Sequence, residues 1–180
     1  TAKAKEMGAT TKFTATQSAE AFNYMAMAGW DSQQMLDGIE GILNLAAASG
    51  EDLGTTSDIV TDALTAFGLK ASDAAHFSDV LAQSAASANT NVSMMGESFK
   101  YVAPIAGAMK YSVEDTSLAL GLMANASVKG SMAGTSLKTA LANMAAPTDK
   151  MATAMKKYGI SLTDSNGNMK TLKGVLDNLR

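Results

Sequence analysis

Apolar residues recur along this chain at intervals of three and four, the spacing that lines one face of an α-helix, and Gly or polar breaks cut the runs short. Thr14 and Gln17 stand at the spacing of a capping box, and Ala21, Phe22, Met25 and Ala28 share a face behind them before Gly29 closes the helix. Ser32 starts a second helix, with Met35, Leu36, Ile39, Leu43 and Ala46 as its stripe and Gly50 as its end. A third runs from about Leu53 to Phe67 on Ile59, Ala63 and Ala66 or Phe67, and Gly68 stops it. Ser72 caps a fourth that uses Ala75, Phe77, Val80 and Leu81 as far as about Ala88, ahead of a break at Asn89-Thr90-Asn91. The fifth begins near Ser93 and carries Met94, Met95, Phe99, Val102 and Ile105. Pro104 lacks an amide hydrogen and crowds the preceding turn, so a kink there or an end at Ala103 is expected.

Ser112 with Asp115 opens a sixth helix, with Leu118, Leu122 and Ala126 on one face and Lys129-Gly130 as its end. A seventh covers about Met132 to Met144 on Leu137 and Leu141. Pro147-Thr148 restarts the chain into Met151, Ala154, Met155 and Tyr158, with Gly159 closing. Ile160 and Leu162 then alternate with polar residues before Ser165-Asn166-Gly167-Asn168, a tight-turn signal that allows one small β-hairpin near 160–170. A last helix starts near Thr171. The pattern predicts an all-α fold, a compact multi-helix bundle of about eight short helices. An unbroken helix of this length would span about 270 Å, and the many breaks argue against such a rod.

The connections share a habit. A helix ends on Gly or a polar break, one apolar residue follows, and Ser, Thr or Asp starts the next helix, as in Gly29-Trp30-Asp31-Ser32, Gly68-Leu69-Lys70-Ala71-Ser72 and Lys110-Tyr111-Ser112. Repeated helical pairs of about 40 residues would produce this, and so would the capping chemistry that any helix hairpin reuses. The chain opens with Thr1 and runs directly into Ala2-Lys3-Ala4-Lys5-Glu6-Met7, which reads as the end of a preceding helix or a linker over residues 1–12. Residues 13–180 read as one helical module, and the whole as a piece of a longer protein.

Composition supports the helices: 33 Ala and 13 Met stand against 5 Ile and 7 Val in 180 residues. With 47% apolar residues the chain has enough material for a core. The absence of Cys removes disulfides and thiolate chemistry, and a net charge of −3 lacks the basic footprint of a nucleic-acid binder. No apolar run approaches the roughly 18–20 residues of a membrane-spanning helix.

Candidate chemistry is sparse. There is no phosphate-binding G-x-x-x-x-G-K loop and no G-x-S-x-G elbow. His76 stands alone between Asp73 and Asp79 and reads as a helix-surface histidine rather than a metal ligand. Glu114 and Asp115 fit the first turn of a helix, where negative charge is favoured, better than acid–base catalysis. Asp58 and Asp62 lie one turn apart on a solvated face. Asp164, Asn166 and Asn168 around Gly167 lack the glutamate and spacing of a calcium loop. No catalytic, cofactor or metal residue is assigned. The methionines, among them Met25, Met27, Met94, Met132 and Met155, divide between core filling and an adaptable binding surface.

Several ordered strings carry a resemblance. They are Tyr24-Met25-Ala26-Met27-Ala28-Gly29-Trp30, Leu45-Ala46-Ala47-Ala48-Ser49, Ala66-Phe67-Gly68-Leu69, Lys100-Tyr101-Val102-Ala103-Pro104, and Val128-Lys129-Gly130-Ser131-Met132-Ala133-Gly134-Thr135-Ser136-Leu137, with Pro147 after the next helix. This set, from about Phe13 to Leu179, resembles the core region of phage tail tape measure proteins of the long non-contractile tail type. The motif residues are Gly29, Trp30, Phe67, Gly68, Pro104, Gly130, Gly134, Thr135 and Pro147. The resemblance implies a structural, non-enzymatic role inside the phage tail, with assembly in the bacterial host cytoplasm. Several copies would lie within the tail tube, set its length, template its assembly and leave at DNA delivery. Implied partners are other copies of the chain and tail tube, tip or assembly proteins; sequence-specific nucleic acid and membrane contact are not implied for this segment. A helical, solenoid-like bacterial interaction module without a phage role is the alternative.

Overall fold

A computed structural model describes residues 2–166 and 169–177. Among them are α1 (Ala2–Thr10), α2 (Ala15–Met27), α3 (Ser32–Ser49), α4 (Leu53–Phe67), a 3-10 turn (Ala71–Asp73), α5 (Ala74–Ser87), α6 (Val92–Ala108), α7 (Val113–Asn125), α8 (Gly130–Ala145), α9 (Asp149–Lys157) and α10 (Leu172–Asp177). The all-α reading holds. At 160–170 a single antiparallel bridge joins Thr163 to Met169, and the Lys170 amide donates to the Leu162 carbonyl at 2.8 Å. Gly167 and Asn168 of the expected turn lie outside the described residues, as do Leu179 and Arg180.

Helices start where the polar residues direct. Thr14 accepts the Gln17 amide at 3.2 Å while the Gln17 side chain takes the Thr14 amide at 2.9 Å. α3 starts at Ser32 as expected, and Asp31 before it is the cap, through the same reciprocal pair with Gln34. Ser72 is not a cap: it sits inside the 3-10 turn, where the Lys70 amide donates to Asp73 Oδ2 at 2.9 Å.

Helices stop in a common way. The amides of Trp30, Leu69, Tyr111, Val128 and Ile160 each reach back five residues, to the carbonyls of Met25, Leu64, Ala106, Met123 and Met155, at 2.8–3.1 Å. The residue before each has positive φ: Gly29, Gly68, Lys110, Ser127 and Gly159. This is the Schellman closure, in which a left-handed residue lets the chain reverse and an apolar residue folds back on the helix. Ser127 therefore ends α7, and Gly130, expected as that helix's terminator, is instead the first residue of α8.

The packing follows a simple order. α2, α4, α6 and α8 pack successively on one another, each on the helix two places on, and α3, α5 and α7 form a second row against them. α1 packs on α2 and α10 on α7. The first-row helices start at residues 15, 53, 92 and 130, spacings of 38, 39 and 38 residues. Of the two explanations for the shared connections, repeated helical pairs match this geometry. The core lies between the rows, around Met25, Ile39, Ile42, Leu43, Phe77, Leu81, Phe99 and Leu141. Phe99 meets Phe67 and Phe77 edge-on, at ring distances of 5.8 and 5.6 Å.

Further sequence expectations need correction. Of the two outcomes expected at Pro104, an end at Ala103 is overturned, since α6 continues to Ala108. Pro104 and Lys100, whose carbonyl loses its bond, are both exposed, so water can satisfy that carbonyl. Leu36 and Ala75, assigned to buried stripes, are exposed. The face of Leu118 and Leu122 on α7 points outward, at 43% and 56% exposure. The buried side of α7 is Val113, Thr116, Ser117, Ala119, Leu120, Gly121 and Ala124. Small and hydroxyl residues win the interior because they let helices approach, and the Thr116 hydroxyl is satisfied by the Ser112 carbonyl at 2.9 Å.

Candidate interaction surface

The motif residues fall into structural positions rather than one cleft. Trp30 is half-buried, with its ring against Gly38, where a Cβ would lie 2.3 Å from it. Phe67 closes α4 against Phe99, and Gly68 supplies the left-handed residue after it. Gly134 faces the backbone of α6: an added Cβ would stand 2.2 Å from the Ser98 carbonyl oxygen. Beside it, the Ser98 hydroxyl donates to the Gly130 carbonyl at 2.8 Å, tying α6 to the start of α8. Thr135 is exposed, its carbonyl receiving the Thr139 hydroxyl at 2.8 Å. Pro147 is half-buried, just before Thr148, whose hydroxyl accepts the Met151 amide at the start of α9. Pro104 stands on the exposed side of α6.

Among the acidic candidates Asp58 and Asp62 lie exposed beside a surface depression, and the others make local or inter-helix contacts. His76 Nε2 lies 2.5 Å from Glu114 Oε1, joining α5 to the first turn of α7. The Glu114 carboxyl is held below its ordinary value by hydrogen bonding to its own backbone amide, opposed by partial burial and reinforced by His76 and Ser112. Asp115 accepts the Leu172 amide at 3.3 Å and so anchors the start of α10. Asp52 accepts the amide and hydroxyl of Thr55 at 2.9 and 2.7 Å, and these bonds hold its carboxyl low. Asp164 accepts the Asn166 amide at 2.8 Å, a local turn contact. Among the described residues no three His, Cys, Asp or Glu gather as metal ligands, and no helix is long and apolar enough to cross a membrane.

The features with surface chemistry are apolar. Between α5 and α7 runs a groove of about 660 Å³, with Val80, Leu118, Gly121, Leu122 and Ala88 along it and His76, Asp79 and Glu114 at its rim. The misassigned face of α7 forms one wall. α9 is the second feature: it buries no residue, and its Met151 and Met155 do not reach the core. The methionines divide accordingly. Met7, Met25 and Met95 are buried, Met35, Met109, Met123, Met144 and Met169 pack at the core's margin, and Met27, Met94 and Met132 are exposed. Sequence reasoning missed the groove because it took the more hydrophobic face of α7 as the inner one. Its signal was the run of small residues on the opposite face.

A family model described as phage-related minor tail protein matches residues 1–180. The tape measure protein of Pneumococcus phage Dp-1 is 42% identical over 178 residues, covering 99% of this chain and 16% of the relative. The probable tape measure protein of Escherichia phage P2 is 29% identical over 178 residues, covering 99% of this chain and 22% of the relative. The chain thus spans less than a quarter of the length of these curated relatives. No solved structure gives a significant match.

Proposed function

The chain belongs to the phage-related minor tail protein family, and from that premise we propose that it is a folded module of a tape measure protein. The observation that carries this reading is the near-complete match of the chain to the Dp-1 tape measure protein at 42% identity. The parent protein lies inside the phage tail, several copies together, sets tail length, templates the tube and leaves ahead of or with the DNA; it is built in the host cytoplasm. This module is not the measuring rod. It packs on neighbouring copies or on tail tip and assembly proteins through its exposed Met and Leu side chains, and it performs no reaction. Hydrolysis assays on peptidoglycan and peptides should be blank.

An in-frame deletion of these residues in the phage tests the proposal. Expected are defective or aberrant tails, a disturbance larger than proportional shortening. Normal tails, shorter only by the deleted residue count, would refute it.

A further inference from the structure

Within the second row, α3 and α5 meet backbone to backbone: a Cβ on Gly41 would stand 2.6 Å from backbone atoms of Ala74 and Ala75. α5 and α7 do not repeat this. Val80, one pair repeat on from Gly41, is a wall of the groove, and a Cβ on Gly121 of α7 would meet only the Ala88 methyl, at 3.4 Å. The buried sides differ too. α3 buries Ile39, Ile42, Leu43 and Leu45, whereas Val113 and Leu120 are the only branched apolar side chains that α7 buries. The hydroxyls of Ser117 and of Tyr111, just before the helix, are buried without a hydrogen-bond partner, a cost that ends when water reaches them.

Polar ties close the two ends of the groove. His76 pairs with Glu114 at one end, and the Asn125 side-chain carbonyl accepts the Asn89 amide at 2.8 Å at the other. The backbone on both sides of α7 is strained. Among the described residues the only non-glycine positions with positive φ are Lys110 at 59° and Ser127 at 68°, one just before the helix and one just after it. A side chain in that region crowds the carbonyl that follows, so both positions relax when the helix lets go. We propose that α7 is a strap that undocks as a unit, turning about Lys110 and Ser127, while the other helices of the two rows stay folded. α10, held to α7 by the bond from the Leu172 amide to Asp115, moves with it. Undocking hydrates the two hydroxyls, relaxes the two strained residues and opens the second row at the groove. The strap's closure thereby governs how much apolar surface the module offers. The inference stands apart from the proposed function, and its failure leaves that reading untouched.

The chain has no Cys, so a single buried thiol reports opening by its rate of reaction with an aromatic disulfide reagent. Ala119→Cys places it on the buried side of α7 and Ala46→Cys on that of α3, at alanines 3% and 0% exposed. In buffer the Ala119→Cys thiol should react about a hundredfold faster than the Ala46→Cys thiol. Urea below the unfolding transition should accelerate it far less, because a local opening exposes little surface. Adding Lys110→Gly and Ser127→Gly to the Ala119→Cys chain should slow the reaction about tenfold. Adding His76→Ala and Asn125→Ala instead should speed it about tenfold. Amide exchange of the unsubstituted chain, residues 113–125 against 32–49, makes the same comparison where no thiol has been introduced. Two helices that exchange or react at one rate, with one urea dependence, would show that α7 opens only when the whole chain unfolds, and would overturn the strap. A fast thiol on α7 beside slow α7 amides would mark a distortion made by the substitution, and a fast rate that neither pair of changes moves would mean simple exposure; both also overturn it.

Discussion

Two glycine-to-alanine substitutions should shift stability in opposite directions, because one glycine faces backbone and the other faces a methyl group. Both lie inside helices, Gly134 in α8 and Gly121 in α7. Each replacement gains about 1 kcal/mol of helix propensity. At Gly121 the nearest atom to a new Cβ is the Ala88 methyl at 3.4 Å, an ordinary contact, so the gain is kept. At Gly134 the new atom would lie 2.2 Å from the Ser98 carbonyl oxygen and 3.0 Å from two more backbone atoms of Ser98. Backbone cannot rotate away like a side chain, so α8 must move off α6. Overpacking of this kind costs about 1–3 kcal/mol. Separation also stretches the bond from the Ser98 hydroxyl to the Gly130 carbonyl, worth about 1 kcal/mol. The net expectation is that Gly134→Ala destabilises by about 2 kcal/mol, a fall of about 4–8 °C in Tm for a chain of this size. Gly121→Ala should raise Tm by about 2 °C. Thermal and urea unfolding of the two variants, followed by circular dichroism, checks this. Gly134→Ala as stable as the parent would refute close backbone approach as the reason for glycine there.

Lys110 and Ser127 hold positive φ without being glycine. Lys110→Gly removes that strain and should stabilise by about 0.5–1 kcal/mol in urea unfolding, although glycine loosens the unfolded chain. Asp52→Ala should cost about 1 kcal/mol at pH 7 by removing the cap of α4. Because the folded carboxyl is held below its ordinary value of 3.8, its contribution is present above that pH and is lost as pH falls through the lower folded value. The cost should therefore shrink toward zero near pH 2, and an equal cost at both pH values would count against the assignment.

The legible part of this fold was its punctuation. Caps and left-handed closures are local, so Thr14-Gln17 and Gly68-Leu69 announce themselves within a few residues. The choice of inner face is not local. In α7 the most hydrophobic side, Leu118 and Leu122, was the natural reading of the core, yet the buried side holds Thr116, Ser117 and Gly121. A helix wedged between neighbours is selected for small cross-section as well as for apolar area, and periodicity measures only the second. The groove followed from the same error and was therefore invisible. That α9 buries no residue fully, with Met151 and Met155 only half-buried, was equally hidden, since its stripe looks like that of any packed helix. The pair repeat was written in the connections, but only the regular spacing of the first-row helices distinguishes it from reused capping chemistry.

The row geometry also gives the chain little reach for its residue count, which supports the proposed role as a module other than the measuring rod. Packed helices lie about 8–10 Å apart, so the four first-row helices carry residues 15–145 forward by about 30 Å. A continuous helix over the same residues would cover about 200 Å. Folding in rows therefore spends most of the residues on contacts and few on reach. If the module keeps this fold in the tail, its deletion removes little length and chiefly removes surfaces, among them the groove and α9. If it opens into a shaft there, deletion shortens the tail by about 270 Å and leaves assembly intact. Electron micrographs of the deletion phage measure the difference directly. Regular tails shortened by the larger amount would mean that the apolar edges described here are buried along an extended helix, and that the rows do not persist in the virion.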